Sequence, residues 1–119
     1  GKLQVKSIIT NPAPGEIVPL INGYNLAGAA WSGEEDIEEV EISTDGGETW
    51  DPVEKLHDRE AYSWYRWEHT WKPKTAGKYT IMCRATNVEG VTQPMEFPNP
   101  WDGRGYGNNM VFPYEVEVR

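Results

Sequence analysis

The sequence predicts one all-β domain, a sandwich of about seven short strands, spanning residues 1–119. Three observations predict this fold. Apolar residues recur with period two in short stretches, as in strands that bury one face. Glycine, proline, asparagine and aspartate separate these stretches and favour turns. Helical periodicity is sustained nowhere, and a series of short strands with turns between them is typical of a sandwich.

The first half of the chain supplies three of these strands. Val5, Ile8 and Ile9 precede a turn at residues 11–15, where two prolines and a glycine are expected to end the first strand. Small residues at 27–30 would let a second layer approach the next strand closely. In the third strand, residues 37–43, we expect Val40 and Ile42 to point inward. The residues expected to face water there are Glu39, Glu41 and Ser43.

The second half continues the alternation. Between residues 63 and 71, one parity comprises Ser63, Tyr65, Trp67, His69 and Trp71. Between residues 78 and 85, the expected inward set is Tyr79, Ile81, Cys83 and Ala85, opposite Lys78, Thr80, Met82 and Arg84. Residues 94–109 contain three prolines and three glycines, too many for regular structure. Alternation at 114–118 then closes the domain.

The composition limits the class of partner. The chain has 11 basic and 19 acidic residues and a net charge of −8, which opposes attraction to nucleic acid or to anionic membranes. The sequence contains no run of 18 apolar residues, so no membrane span is predicted. The single cysteine, Cys83, excludes an internal disulfide. Because Gly1 stands in place of an initiator methionine, we expect a trimmed fragment or a processed product.

Residues 43–50 fit the pattern Ser-x-Asp-x-Gly-x-Thr-Trp, known as the Asp-box of sialidase propellers. Asp45 can accept hydrogen bonds from turn N–H groups, Gly47 supplies a positive φ, and Trp50 folds back over the turn. A propeller repeats such a turn once per blade, whereas this chain contains one copy and is too short for several blades. We therefore predict a structural turn.

The aromatic residues between 62 and 71 admit two interpretations. They are Tyr62, Trp64, Tyr65, Trp67 and Trp71. They could form a stacking platform for sugars, or they could form the core and a protein interface. Alternate strand residues point to opposite faces, so the rings cannot all line one groove, which favours the second interpretation. Trp67 and Trp31 are expected in the core or between layers.

No catalytic residue and no metal ligand is predicted in this chain. His57 and His69 are the only histidines, and neither has metal-ligand spacing with a cysteine or another histidine. Cys83 occupies an inward strand position and is expected to be a buried small hydrophobe.

The loop at residues 98–109 has the least evident packing role. Glycines flank Arg104 and let a ligand approach the backbone, while the guanidinium offers a planar donor fork for oxyanions. Alternatively, Arg104 pairs with one of the many carboxylates and merely braces the loop.

Several segments together resemble a known family. They are residues 5–12, 26–33, 37–50, 64–68, 83–87, 93–94 and 99–109. Because these segments occur in the expected order, the chain resembles the C-terminal molybdenum-cofactor oxidoreductase dimerisation domain of the sulfite oxidase and sulfite dehydrogenase family. The resemblance implies an immunoglobulin-like sandwich of the early-set type.

The same resemblance implies a function within a larger enzyme. The domain would pack against its own catalytic domain and against its homodimer mate, and molybdopterin would be held by the catalytic domain, which is missing from this chain. Arg104, in the segment Trp101-Asp102-Gly103-Arg104-Gly105, would reach the substrate anion pocket. The family occurs in mitochondria, peroxisomes and the bacterial periplasm, so a bacterial source would imply a periplasmic protein.

Two other functions remain open from the residues alone. One is an independent immunoglobulin-like module of a secreted protein that binds carbohydrate or protein. The other is a small enzyme in its own right.

Overall fold

The computed structural model describes residues 5–33, 35–59, 64–95 and 110–119, which form nine strands and no helix. The strands are β1 (Lys6–Asn11), β2 (Ile17–Val18), β3 (Tyr24–Trp31), β4 (Ile37–Ser43), β5 (Asp51–Pro52), β6 (Lys55–Leu56), β7 (Tyr65–Trp71), β8 (Gly77–Asn87) and β9 (Tyr114–Val118). Three of them, β2, β5 and β6, have only two residues each. Within these ranges no helix is long and apolar enough to cross a membrane.

The strands form two sheets, which confirms the predicted all-β sandwich. The four-stranded sheet has the order β1-β3-β7-β6, and all of its pairs are antiparallel. The five-stranded sheet has the order β2-β9-β8-β4-β5 and is antiparallel apart from the β2–β9 pair. The first strand ends at Asn11, where the turn predicted it.

The core lies between the sheets and is built by the alternating residues of both. Its fully buried members with the largest side chains include Trp67, Leu26, Ile81, Val5, Val18, Val40, Val116 and Val118. Trp71 and Tyr79 cross the space between the sheets as an edge-to-face pair with ring centroids 5.2 Å apart. The alternation predicted for β7, the core position predicted for Trp67 and the inward set predicted for β8 are therefore correct.

Gly28 fixes how closely β3 approaches its neighbours. A Cβ at this position would lie 2.0 Å from the carbonyl oxygen of Ile8 and 2.4 Å from Cζ2 of Trp67. Both distances are far below van der Waals contact, so a side chain cannot be accommodated without moving backbone. The sequence predicted that small residues of β3 admit a second layer, whereas the close contacts at Gly28 are with β1 and β7 of its own sheet. Trp67 occupies the space that Gly28 leaves.

Three residues differ from the prediction, two in their exposure and one in its orientation. Ser43, expected to face water, is 1% exposed, because its hydroxyl is used inside the turn that follows β4. Met82, also expected outside, is 6% exposed, because the same turn folds over it, and a Cβ added at Gly47 would lie 3.4 Å from the Met82 sulfur. Trp31, expected in the core or between layers, is half-buried on the outer surface, since its neighbour Ala30 takes the inward position.

Candidate functional site

The turn between β4 and β5 is closed by its own side chains. Asp45 Oδ1 accepts hydrogen bonds from the Thr49 N–H at 2.9 Å and the Ser43 hydroxyl at 2.8 Å, and the Thr49 hydroxyl donates to Oδ2. These bonds, led by the one from the Thr49 hydroxyl, lower the pKa of Asp45 to about 2. Gly47 has φ of 93°, and its carbonyl accepts the Trp50 indole N–H at 3.1 Å.

Trp50 is also covered by a cation. The Arg84 guanidinium carbon lies 4.0 Å from the Trp50 ring centroid, while its Nε donates to Glu41 Oε1 at 2.8 Å. Sequence analysis missed this group. The available signal was that Glu41 and Arg84 both occupy outward positions of the neighbouring strands β4 and β8, where they are direct cross-strand partners.

Cys83 belongs to a buried polar cluster between the sheets. Its sulfur lies 3.2 Å from Ser7 Oγ, and the Ser7 hydroxyl donates to Gln93 Oε1 at 2.5 Å. Gln93 Oε1 also accepts the Ala85 N–H at 2.8 Å. Burial raises the pKa of the Cys83 thiol to about 12, although the bond to Ser7 lowers it. Such a thiol stays protonated near neutral pH and suits neither nucleophilic attack nor metal ligation.

A small cleft opens above this cluster. Its volume is about 210 Å³, and its lining is Ser7, Ile8, Ile9, Pro14, Cys83, Phe112 and Tyr114. Phe112 is 68% exposed. Next to Phe112, the Val111 N–H donates to the Pro94 carbonyl oxygen at 2.8 Å, so residues 94 and 111 lie side by side.

The outer surface of the four-stranded sheet carries a second tryptophan cluster. Trp31 and Trp64 have ring centroids 4.0 Å apart, and Lys6 Nζ lies 5.2 Å from the Trp31 ring centroid. We call this surface the aromatic face. Its residues are Lys6, Ile8, Ala27, Ala29, Trp31, Lys55, Trp64, Arg66 and Glu68.

One edge of the aromatic face is polar. His57 Nε2 lies 2.6 Å from Glu68 Oε2, and Asn25 donates to Glu68 Oε1 at 3.2 Å. These bonds, the one with His57 first, lower the pKa of Glu68. His57 is therefore bound to a carboxylate at the surface, and His69 lies on the inward parity of β7.

No group of three or more histidine, cysteine, aspartate or glutamate side chains that could hold a metal occurs in the described ranges. Arg104 and its loop lie outside those ranges, as does Tyr62. The predicted turn residues Asp45, Gly47 and Trp50 lie together in the turn between β4 and β5. Strand β4 pairs with β8, which carries the buried Cys83.

Comparisons with known proteins place the whole chain in one group. The family model described as the Mo-co oxidoreductase dimerisation domain matches residues 1–119. Sulfite oxidase of Gallus gallus is 32% identical over 109 residues, covering 87% of this chain and 24% of that protein. Nitrate reductase (NADH) 1 of Oryza sativa subsp. japonica is 32% identical over 130 residues, covering 98% of this chain and 14% of that protein.

A solved structure agrees with the fold. The sulfane dehydrogenase SoxCD of Paracoccus pantotrophus superposes with a TM-score of 0.73 at 24% identity, covering 94% of this chain and 30% of that one. The chain spans about a quarter or less of the curated relatives it matches, 24% of the sulfite oxidase and 14% of the nitrate reductase. Since the family model covers every residue, the chain belongs to the Mo-co oxidoreductase dimerisation domain family.

Proposed function

We propose that this chain is the dimerisation domain of a sulfite oxidase-type molybdenum oxidoreductase, where it joins two subunits and packs against its own catalytic domain. The observation that carries the proposal is the family match over residues 1–119. The matched sulfite oxidase and nitrate reductase support it, because both are much longer than this chain. The family match does not favour an independent carbohydrate-binding module.

In this proposal molybdopterin belongs to the catalytic domain and not to this chain. The chain's single cysteine does not fit a metal ligand, because Cys83 is 4% exposed, bonded to Ser7, and has a raised thiol pKa. The proposed role of the chain is therefore assembly and shaping of the enzyme around chemistry that the catalytic domain performs.

The finer part of the proposal concerns Arg104, which would supply a guanidinium to the substrate pocket of the parent enzyme. The matched relatives are named for sulfite and nitrate, two small oxyanions. A planar donor fork suits such anions, and flanking glycines at 103 and 105 allow close approach. The turn at Asp45, Gly47 and Trp50 has a structural role in this proposal.

Kinetics of the full-length parent enzyme test the role of Arg104. Arg104→Ala is expected to raise KM for sulfite or nitrate, whichever the parent uses, by about 10-fold or more, because a charge-assisted hydrogen bond contributes about 1.5–3 kcal/mol. Arg104→Lys should restore part of the loss, since an ammonium cannot reproduce the bidentate fork. Arg84→Lys, on the outer surface of the sandwich, is the matched control and should leave KM unchanged.

The braced-loop alternative gives the opposite pair of results. In that case Arg104→Ala would lower the melting temperature of the isolated domain and leave the kinetics of the parent as in wild type.

The assembly role has its own measurement, sedimentation of the parent enzyme. A parent that remains monomeric at all accessible concentrations would contradict dimerisation.

A further inference from the structure

The residues that lead into the segment 96–109 run beside the second half of β8. Strand β9 pairs with the first part of β8. Beyond that part, Thr92 forms an antiparallel bridge with Thr86, and the Gln93 N–H donates to the Ala85 carbonyl oxygen at 3.2 Å. The chain therefore enters the segment from a fixed line on the sandwich.

Gln93 ties this line to both sheets. The residue is 3% exposed, and its Oε1 accepts the Ala85 N–H at 2.8 Å and the Ser7 hydroxyl at 2.5 Å. Ala85 lies on β8, whereas Ser7 lies on β1 of the other sheet. A buried donor without an acceptor costs free energy, so these two donors keep the amide oxygen of Gln93 in one place.

The far end of the segment is held at the same point. Val111 is 0% exposed, and its N–H donates to the Pro94 carbonyl oxygen at 2.8 Å. Since Pro94 follows Gln93 directly, a displacement of Gln93 also displaces the partner of Val111. The buried amide of Gln93 thus sets the position of both ends of the segment that contains Arg104.

The turn at residues 43–50 supports the entry from the outer surface. A Cβ added at Gly47 would lie 3.4 Å from the Met82 sulfur and 3.7 Å from Cε of Met95. Met95 is the last described residue before the segment, and its methyl group lies beside this turn. The entry to the segment is therefore in contact with the sandwich from inside, through Gln93, and from outside, through Met95.

We propose that Gln93 is a positioning residue for substrate binding in the parent enzyme, because it holds the ends of the segment 96–109 where Arg104 can reach the anion. This inference rests on the proposed function, since the role of Arg104 in the substrate pocket is itself proposed there. Gln93 acts through the backbone at Pro94 and Val111 and does not bind the anion itself. Such an effect is large enough to measure, because misplacing a binding group by about 1 Å can cost up to about 100-fold in rate.

Kinetics of the full-length parent enzyme, with sulfite or nitrate as the parent requires, test the positioning role. Ser7→Ala removes one of the two donors to the Gln93 side chain. Ser32→Ala is the matched control, because Ser32 is also buried and its hydroxyl accepts a hydrogen bond from the buried Asn87 amide at 3.1 Å. The Asn87 oxygen accepts two N–H groups of the turn after β8, so the control pair braces that turn.

We expect Ser7→Ala to raise KM about 3-fold with kcat within about 2-fold of wild type, because the binding group is displaced while the chemistry stays with the catalytic domain. Gln93→Met, which removes the acceptor at a similar side-chain length, should raise KM further, towards the value of Arg104→Ala. Ser32→Ala should leave KM and kcat unchanged. In an Arg104→Ala background, Ser7→Ala should no longer change KM, because no guanidinium is left to misplace.

Ser7→Ala keeps the proposal testable if Gln93→Met does not fold. An equal rise of KM in Ser32→Ala would assign the effect to a general loss of stability and overturn the inference. So would a Ser7→Ala effect that persists in the Arg104→Ala background. If Arg104→Ala raises KM but Ser7→Ala does not, the positioning role is wrong while the proposed function stands. If Arg104→Ala leaves KM as in wild type, the proposed role of Arg104 fails first.

Discussion

Each outer surface of the sandwich carries a tryptophan with a cation above it, and the two pairs are built differently. On the outer surface of the five-stranded sheet, Arg84 lies 4.0 Å from the Trp50 ring centroid, its Nε is bonded to Glu41, and the Trp50 indole N–H is bonded to Gly47. On the aromatic face, Lys6 lies 5.2 Å from the Trp31 ring centroid. The first pair is held by several directional bonds, and the second is held by one loose contact.

The difference shows which part of the surface makes directional contacts that stabilise the folded chain and which part does not. Around Trp50, the polar groups of the turn, of Arg84 and of Glu41 find their hydrogen-bond and charge partners within the chain. Around Trp31, the neighbours are Trp64 and alanines, which offer area but few directional partners. A surface like the one around Trp31 contributes free energy mainly when it is covered, because covering it removes apolar area from water.

The largest expected effect concerns the core on which both faces rest. Trp67→Ala should lower the free energy of unfolding by about 3–5 kcal/mol, because Trp67 is 0% exposed and its removal leaves a cavity against Gly28. Denaturant unfolding measures the change. Trp67→Phe should cost less, because the Trp67 Nε1 has no hydrogen-bond partner among the described residues. A loss below about 1 kcal/mol for the alanine variant would mean an exposed ring and would restore the sugar-platform interpretation.

The next prediction compares the pairs directly. A double-mutant cycle with Arg84→Ala and Trp50→Phe should give a coupling free energy of about 1 kcal/mol, because a half-desolvated cation above an indole is stabilised more than an exposed one. Urea unfolding of the four proteins supplies the values. A coupling indistinguishable from zero would show that the Arg84–Trp50 contact contributes nothing to folding, and the contrast between the faces would lose its basis.

How far the sequence predicted this structure depended on the kind of interaction. Strand positions and inward parity followed from period-two alternation, because burial of one sheet face imposes that period. The outward positions were less predictable. Ser43 and Met82 are buried by a turn that folds back onto the sheet, and alternation carries no information about such a cover.

The contacts between distant segments were not predictable from local patterns. Ser7 and Gln93 meet at Cys83 across the sandwich, although they are 86 residues apart in the chain. The Arg84–Trp50 contact likewise needs the strand register, which one sequence does not specify residue by residue. The role of Arg104 remains a prediction, since its loop lies outside the described ranges.

A smaller effect on stability is expected when the charge of Asp45, in the turn that positions Trp50, is removed. The pKa of Asp45 is lowered from 3.8 to about 2 by the Thr49 and Ser43 hydrogen bonds, so ionised Asp45 stabilises the folded state above the unfolded pKa. This contribution is lost as pH falls from about 4 through about 2. Asp45→Asn should therefore flatten the fall in melting temperature over that interval. Melting curves between pH 2 and 6 test this, and parallel wild-type and variant profiles would exclude a folded-state role for the charge.

The smallest effect is expected for the loose pair on the aromatic face. Lys6 and Trp31 should show a coupling free energy of no more than about 0.5 kcal/mol in the monomer, because the ammonium stays hydrated and its long stem keeps its rotamer entropy. The cycle uses Lys6→Met, which retains much of the apolar stem and removes the charge, together with Trp31→Phe. It is measured at protein concentrations below the dimer dissociation constant, so that only folding contributes. If the coupling equals that of Arg84 and Trp50, the two cation–tryptophan pairs contribute alike to folding, and the contrast between the two outer surfaces disappears. A coupling within experimental error of zero would show that the Lys6–Trp31 contact contributes nothing to folding of the monomer.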